Sequence, residues 1–150
     1  MSAFGKTMKI YLAGPLFTAS ELEFNHQIRD YLEKAGHKVW LPQEQTAGVT
    51  SGSEVFQLLL KGIADCDLVI ANMDGSDPDS GTCWECGYAH GIGKPTVLFR
   101  TDIRSRGDFN LSRYNLMMWV SATRRVDGPF ATVKDVASAL LTCLGEVAGW

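Results

Sequence analysis

Basic residues, cysteines and long apolar runs are all scarce in this chain, and each shortage removes a class of function. Lys and Arg number 14 against 17 Asp and Glu, a net charge of −3, and the sequence pI is about 5.5. That is no electrostatic footprint for nucleic acid. Six arginines do gather in the last third (Arg100, Arg104, Arg106, Arg113, Arg124 and Arg125). Against the acidic background they read as a solvated or subunit-facing loop. No stretch approaches the roughly 18 apolar residues of a membrane span. The first seven residues carry no apolar core of signal-peptide length and are expected to be disordered. A cytoplasmic protein without a membrane or nucleic-acid partner is therefore expected. Its four cysteines would then be reduced thiols.

Nucleotide-binding signatures are also missing. Gly14-Pro15 is not a G-x-G-x-x-G turn, and no G-x-x-x-x-G-K-[ST] loop occurs; dinucleotide and phosphoryl-transfer chemistry lack their usual marks. The three histidines, His26, His37 and His90, have no metal-ligand spacing, and His90 reads as a helix-end residue. Cys83-x-x-Cys86 is a single pair inside a helical stretch, which fits small buried hydrophobes better than a redox or zinc site. No metal or cofactor is implied.

What is present is an ordinary globular composition, 45% hydrophobic and 21% charged over 150 residues, enough for one domain spanning 1–150. Short apolar runs at Lys9–Ala13, Lys38–Leu41, Asp67–Ala71 and Thr96–Phe99 read as buried strands, with a short fifth at Thr123–Val126. Helical spacing appears between them. Ser20 with Glu23 fits a capping box, and Gly36 closes that helix. Ser51 with Glu54 starts another, with Phe56, Leu59, Leu60 and Ile63 on one face. Thr82–Gly91 and Pro129–Leu144 are further helices. Gln43–Gly52, Asn72–Ser80 and Arg100–Asn110 read as loops, and Leu111–Trp119 is ambiguous. Strands alternating with helices imply a five-stranded, doubly wound parallel sheet in three α/β/α layers. Ligands bind beyond the carboxyl ends of such strands.

The segment Asp79-Ser80-Gly81-Thr82-Cys83-Trp84-Glu85 runs from such a loop into a helix. Two carboxylates a turn apart can take different roles if their surroundings differ. Spacing alone leaves a second reading open for each. Thr82-x-x-Glu85 is itself a capping box, and Asp-Ser-Gly is ordinary turn chemistry.

Several motifs in order resemble the nucleoside 2-deoxyribosyltransferase family. They are Ile10-Tyr11-Leu12-Ala13-Gly14-Pro15, Gly62-Ile63 with Cys66-Asp67, Asp79-x-Gly81-Thr82-x-x-Glu85-x-Gly87-Tyr88-Ala89 with Gly93-Lys94, and Asn115-Leu116-Met117. The resemblance implies a flavodoxin-like fold and exchange of bases between 2′-deoxynucleosides by double displacement, serving nucleoside salvage. Glu85 matches the nucleophile that attacks C1′, and Tyr11 the tyrosine that orients it. Asp79 matches the residue that binds the 5′-hydroxyl. Asn115, with Met117 beside it, matches a residue supplied across a subunit interface, so a homo-oligomer is expected. Gly14, Gln43, Glu44 and Gly81 complete the expected substrate-binding set; its partners are deoxynucleosides and free nucleobases. A related branch that cleaves deoxynucleoside 5′-monophosphates carries Ser where Asp79 stands, and a carboxylate there repels a phosphate. Hydrolysis of nucleosides or their monophosphates is the alternative activity, and a non-catalytic nucleotide-sensing module is a third reading. One departure stands out. Some members carry Asp three residues before the position of Gly62, where this chain has Leu59, so the proton for a leaving base must come from elsewhere, from the Gln43-Glu44-Gln45 loop, with Glu44 a candidate, or from water.

Overall fold

The computed structural model describes residues 6–104 and 113–147. Most of the segment expected to be disordered, together with Arg106 and the start of Leu111–Trp119, lies outside them. The elements run β1 (Lys9–Ala13), α1 (Ala19–Lys34), β2 (Lys38–Trp40), α2 (Pro42–Gln45), α3 (Gly52–Asp65), β3 (Leu68–Asn72), α4 (Ser80–Gly91), β4 (Thr96–Arg100), α5 (Leu116–Ser121), β5 (Arg124–Asp127) and α6 (Val133–Val147). All strand pairs are parallel, in the order β2-β1-β3-β4-β5. This is the flavodoxin-like three-layer α/β/α arrangement, with the order reversing beside β1.

The period of two along each strand divides the core. Ile10, Leu12, Leu68, Ile70, Val97 and Phe99 face α1 and α6 through Ile28, Leu32, Val136 and Leu140. Tyr11, Ala13, Val69, Ala71 and Leu98 face α3, α4 and α5 through Ile63, Cys86, Ala89 and Met118. Burial on both faces explains why the central strands are continuous apolar runs rather than alternating ones.

Local chemistry sets the boundaries, and in several places it differs from the spacing argument. Helix α1 begins at Thr18, not Ser20. Thr18 is extended (φ −117°, ψ 158°) and exchanges hydrogen bonds with Glu21, whose N–H donates to Thr18 Oγ1 and whose carboxylate accepts from the Thr18 N–H. Ser20 and Glu23 already lie inside the helix. Gly36 follows the C-cap with φ 98°, as expected, a conformation that favours glycine. The Gln43–Gly52 loop contains α2, one turn launched by Pro42 at its first position; four residues are too few to show a period. Ser51 caps α3 as expected. The ambiguous Leu111–Trp119 stretch yields α5 from Leu116, capped by Asn115. Helix α6 starts after Thr132, whose hydroxyl accepts from Asp135 N–H while the Asp135 carboxylate accepts from Thr132 N–H.

Arg100 corrects the reading of the arginine cluster as solvated. Its side chain is 1% exposed. It donates to the carbonyls of Met73, Gly75 (2.8 Å) and Arg104 (3.0 Å). Nearby, the Asp74 carboxylate accepts from Thr101 N–H, Thr101 Oγ1 and Asp102 N–H. The loop leaving β3 is thereby fastened to the chain leaving β4. Among the described residues no helix is long and apolar enough to cross a membrane.

Close packing demands one glycine in particular. A Cβ on Gly62 would stand 2.7 Å from Trp40 Cε2 and Cζ2. Gly62→Ala should therefore cost about 1–3 kcal/mol, measured as a lowered urea midpoint with an unchanged m-value.

Candidate active site at the carboxyl edge of the sheet

Tyr11 sits on β1, fully buried. Its ring stacks on Trp40 of β2, with centroids 5.0 Å apart and planes 13° from parallel. Trp40 in turn fills the space left open by Gly62 of α3. This stack fixes where the phenol points. Its hydroxyl donates to Glu85 Oε1 at 2.6 Å, joining the central sheet to α4.

Glu85 is therefore not a helix cap. Asp79 is the N-cap of α4, which begins at Ser80, two residues before the Thr82 start expected from spacing, so Thr82 lies inside its first turn. The Asp79 Oδ2 accepts from both the Thr82 N–H (2.8 Å) and the Thr82 hydroxyl (2.9 Å). The turn reading of Asp79 thus holds for one oxygen. The residue also lines the cavity that holds Glu85, so capping does not withdraw it from the site.

The electrostatics follow from these contacts. Burial pushes the Glu85 carboxyl up to about 7; the Tyr11 hydroxyl opposes this by stabilising the anion, and the Asp79 charge adds to it. Burial and the adjoining Glu85 charge hold the Tyr11 phenol far above its ordinary range, so it remains a donor at any working pH. A half-buried, partly desolvated carboxylate held by a fixed donor has the character that a nucleophile or a general base requires.

Two cavities meet at Glu85. One, about 230 Å³, is lined by Gly14, Phe17, Thr46, Leu59, Asp79 and Glu85 among others. The second, about 290 Å³, is walled by Phe56, Leu59, Leu60, Ile63, Trp84 and Glu85. Gly81 and Leu59 border both. A Cβ on Gly14 would stand 3.2 Å from Asn72 Cβ, so the turn after β1 closes tightly.

The remaining expected residues lie elsewhere. Gln43 accepts from Asn25 and donates to the Leu22 carbonyl, which fastens α2 to α1. Glu44 pairs with Arg29 at 2.5 Å and His26 at 3.3 Å. Neither lines the Glu85 cavities. Asn115 accepts from Met117 N–H and, with Met117, borders a separate apolar cavity of about 840 Å³ between α4 and α5. Cys86 is buried and Cys83 half-buried, both as free thiols whose burial raises their pKa; this is inert packing. His90 is exposed in the last turn of α4. Sequence reasoning missed Trp40 and the lining residues Phe17, Thr46 and Val55. The one available signal was Gly62, a glycine inside an amphipathic helix, which marks a close approach.

A doubly wound sheet whose chemical groups gather beyond the strand ends defines an α/β protein of the ligand-crevice kind. Residues 10–117 match the family model described as nucleoside 2-deoxyribosyltransferase. The chain belongs to that family, whose members are enzymes. Among solved structures it is similar to the 2-deoxyribosyltransferase of Bacillus psychrosaccharolyticus, at 31% identity over 89% of this chain and 95% of that one, with a TM-score of 0.68. A conserved protein of Enterococcus faecalis aligns at 26% identity over 92% and 99%, also with a TM-score of 0.68. The 2-desoxiribosyltransferase of Leishmania mexicana aligns at 28% over 65% and 67%, with a TM-score of 0.56. No curated protein matches by sequence.

Tyr11→Phe should move the Glu85 titration upward from about 7, because the bond removed favours the charged form. At neutral pH a smaller fraction would then be carboxylate. Carbon-13 NMR of the labelled glutamate carboxyl checks the direction.

Proposed function

We propose that this protein transfers 2-deoxyribose between nucleobases through a covalent deoxyribosyl ester on Glu85. The observation that carries this is the 2.6 Å bond from a buried Tyr11 to Glu85 where two cavities meet. The attacking oxygen of Glu85 closes on C1′ while the C1′–N bond to the base lengthens, through an oxocarbenium-like transition state. The absent 2′-hydroxyl matters, because its electron withdrawal would destabilise the developing charge. The first base leaves, a second attacks C1′ from the same face, and two inversions give retention. Tyr11 keeps one Glu85 oxygen occupied, orienting the other.

Asp79 is assigned to the sugar's 5′-hydroxyl. A carboxylate accepts a hydrogen bond from a hydroxyl and repels a phosphate dianion, which favours nucleosides over 5′-monophosphates. Asn115 is assigned to a neighbouring chain's site. In support, Trp84, Leu116, Met117 and Val120 expose 52%, 48%, 74% and 70% of their surface around it, an apolar face of the kind that oligomers cover. Reversible base exchange of this type would serve nucleoside salvage.

Incubating the protein with 2′-deoxyuridine and free hypoxanthine should yield uracil and deoxyinosine by chromatography. Free deoxyribose in place of deoxyinosine would mean hydrolysis; no consumption would refute both. Glu85→Ala should lower the rate by more than about a thousandfold. Subunit sharing has its own check. Glu85→Ala and Asn115→Ala, each inactive alone, should recover roughly a quarter of wild-type activity when co-expressed as a dimer, since half the dimers are mixed and one of their two sites is whole.

A further inference from the structure

The cavities that meet at Glu85 share a chemical character. Their lining is largely apolar, and its side chains with polar atoms are Thr46, Asp79, Thr82, Trp84 and Glu85. Among the described residues, only Asp79 and Glu85 of this lining are ionisable. Apart from those two carboxylates, the walls are apolar side chains, backbone, two hydroxyls and the Trp84 indole, whose N–H can donate a hydrogen bond but not a proton. The Thr46 hydroxyl donates to the Pro42 carbonyl at 2.9 Å, and the Thr82 hydroxyl donates to Asp79. Both protons are committed.

Among the described residues of this chain, the surrounding elements supply no proton either. From β1, the Tyr11 hydroxyl is committed to its hydrogen bond with Glu85, and burial holds its pKa far above the working range. From α2, Glu44 is held by Arg29 and His26. His26 on α1 is bonded to Gln43 at 3.0 Å. From α3, the residues facing Glu85 are Val55, Phe56, Leu59, Leu60 and Ile63. On α4, Cys86 is a buried thiol. Asp79 already accepts two hydrogen bonds through Oδ2. Glu85 must be ionised to attack.

Resting on the transferase reading above, we infer that this site expels the nucleobase as its anion, without a general acid, and so selects bases whose glycosidic nitrogen is acidic. The step balances as follows. A Glu85 oxygen forms the ester to C1′, the C1′–N bond breaks, and its electron pair stays on the base nitrogen, delocalised into ring carbonyls. The anion takes its proton from water after leaving. In the second half-reaction the incoming base attacks as the same kind of anion. Dioxopyrimidines and 6-oxopurines, whose carbonyls spread the charge, are the substrate class; aminopyrimidines such as cytosine are disfavoured as leaving groups.

The test compares kcat/KM for 2′-deoxyuridines carrying fluorine, hydrogen or methyl at C5, with one common acceptor base. In a double displacement this ratio reports the first half-reaction. Without acid assistance the leaving group bears nearly a full charge. The ratio should then fall at least about tenfold from the fluoro to the methyl compound, and 2′-deoxycytidine should be slower still. With a deoxynucleoside whose base stays neutral, the pH profile should rise through the Glu85 titration, at about 7, to a plateau, without the falling limb of a general acid. Equal ratios across the series, or a bell-shaped profile, overturns the inference while leaving the transferase reading intact. Failure to release base from any of these nucleosides overturns both.

Discussion

The hydrogen bond from Tyr11 to Glu85 joins the two halves of this molecule's chemistry. The donor belongs to the innermost strands, where it has no exposed surface. The acceptor belongs to a helix that begins in a surface loop. Burial raises the Glu85 titration, and the phenol opposes that rise, enlarging the ionised fraction at neutral pH. On the proposed mechanism, a stronger donor or more water would stabilise the anion further and blunt it as a nucleophile. The geometry holds a compromise between charge and reactivity.

That compromise needs rigid support on both sides. On the sheet side, Trp40 lies against Tyr11 and is itself received by the bare backbone of Gly62. On the helix side, Asp79 fixes the first turn of α4. Upstream of it, the loop is fastened by the buried Arg100 guanidinium and by Asp74. Arg100 is thus a scaffold residue although it sits at the end of a strand beside the crevice. A positive charge buried so deeply is tolerated because carbonyl oxygens surround it.

The strands and the three-layer order were legible because a parallel sheet buried on both faces writes itself as short apolar runs between helical periods. Thr82-x-x-Glu85 misled for a physical reason. A threonine in the first turn and a threonine at the cap leave the same spacing, and only the upstream carboxylate, which wins the Thr82 N–H, tells them apart. The α2 turn was invisible because one turn has no period. Tyr11 and Glu85 are 74 residues apart, and nothing local links them; their pairing was readable only through the family resemblance. The Trp40–Gly62 contact had the same difficulty, and Glu44 drew attention through its loop position while its charge was already taken by Arg29.

Asp79 occupies a position where two selective pressures meet. A helix start accepts aspartate, asparagine, serine or threonine with little difference in stability. A neutral cap can therefore replace the charged one without disturbing the turn that carries Glu85. Within this fold, the charge that the N-cap presents to the cavity is free to change while Glu85 stays in place. On the proposed assignment of Asp79 to the 5′-hydroxyl, one substitution at the cap would change the charge met by the substrate while the helix keeps Glu85 against Tyr11.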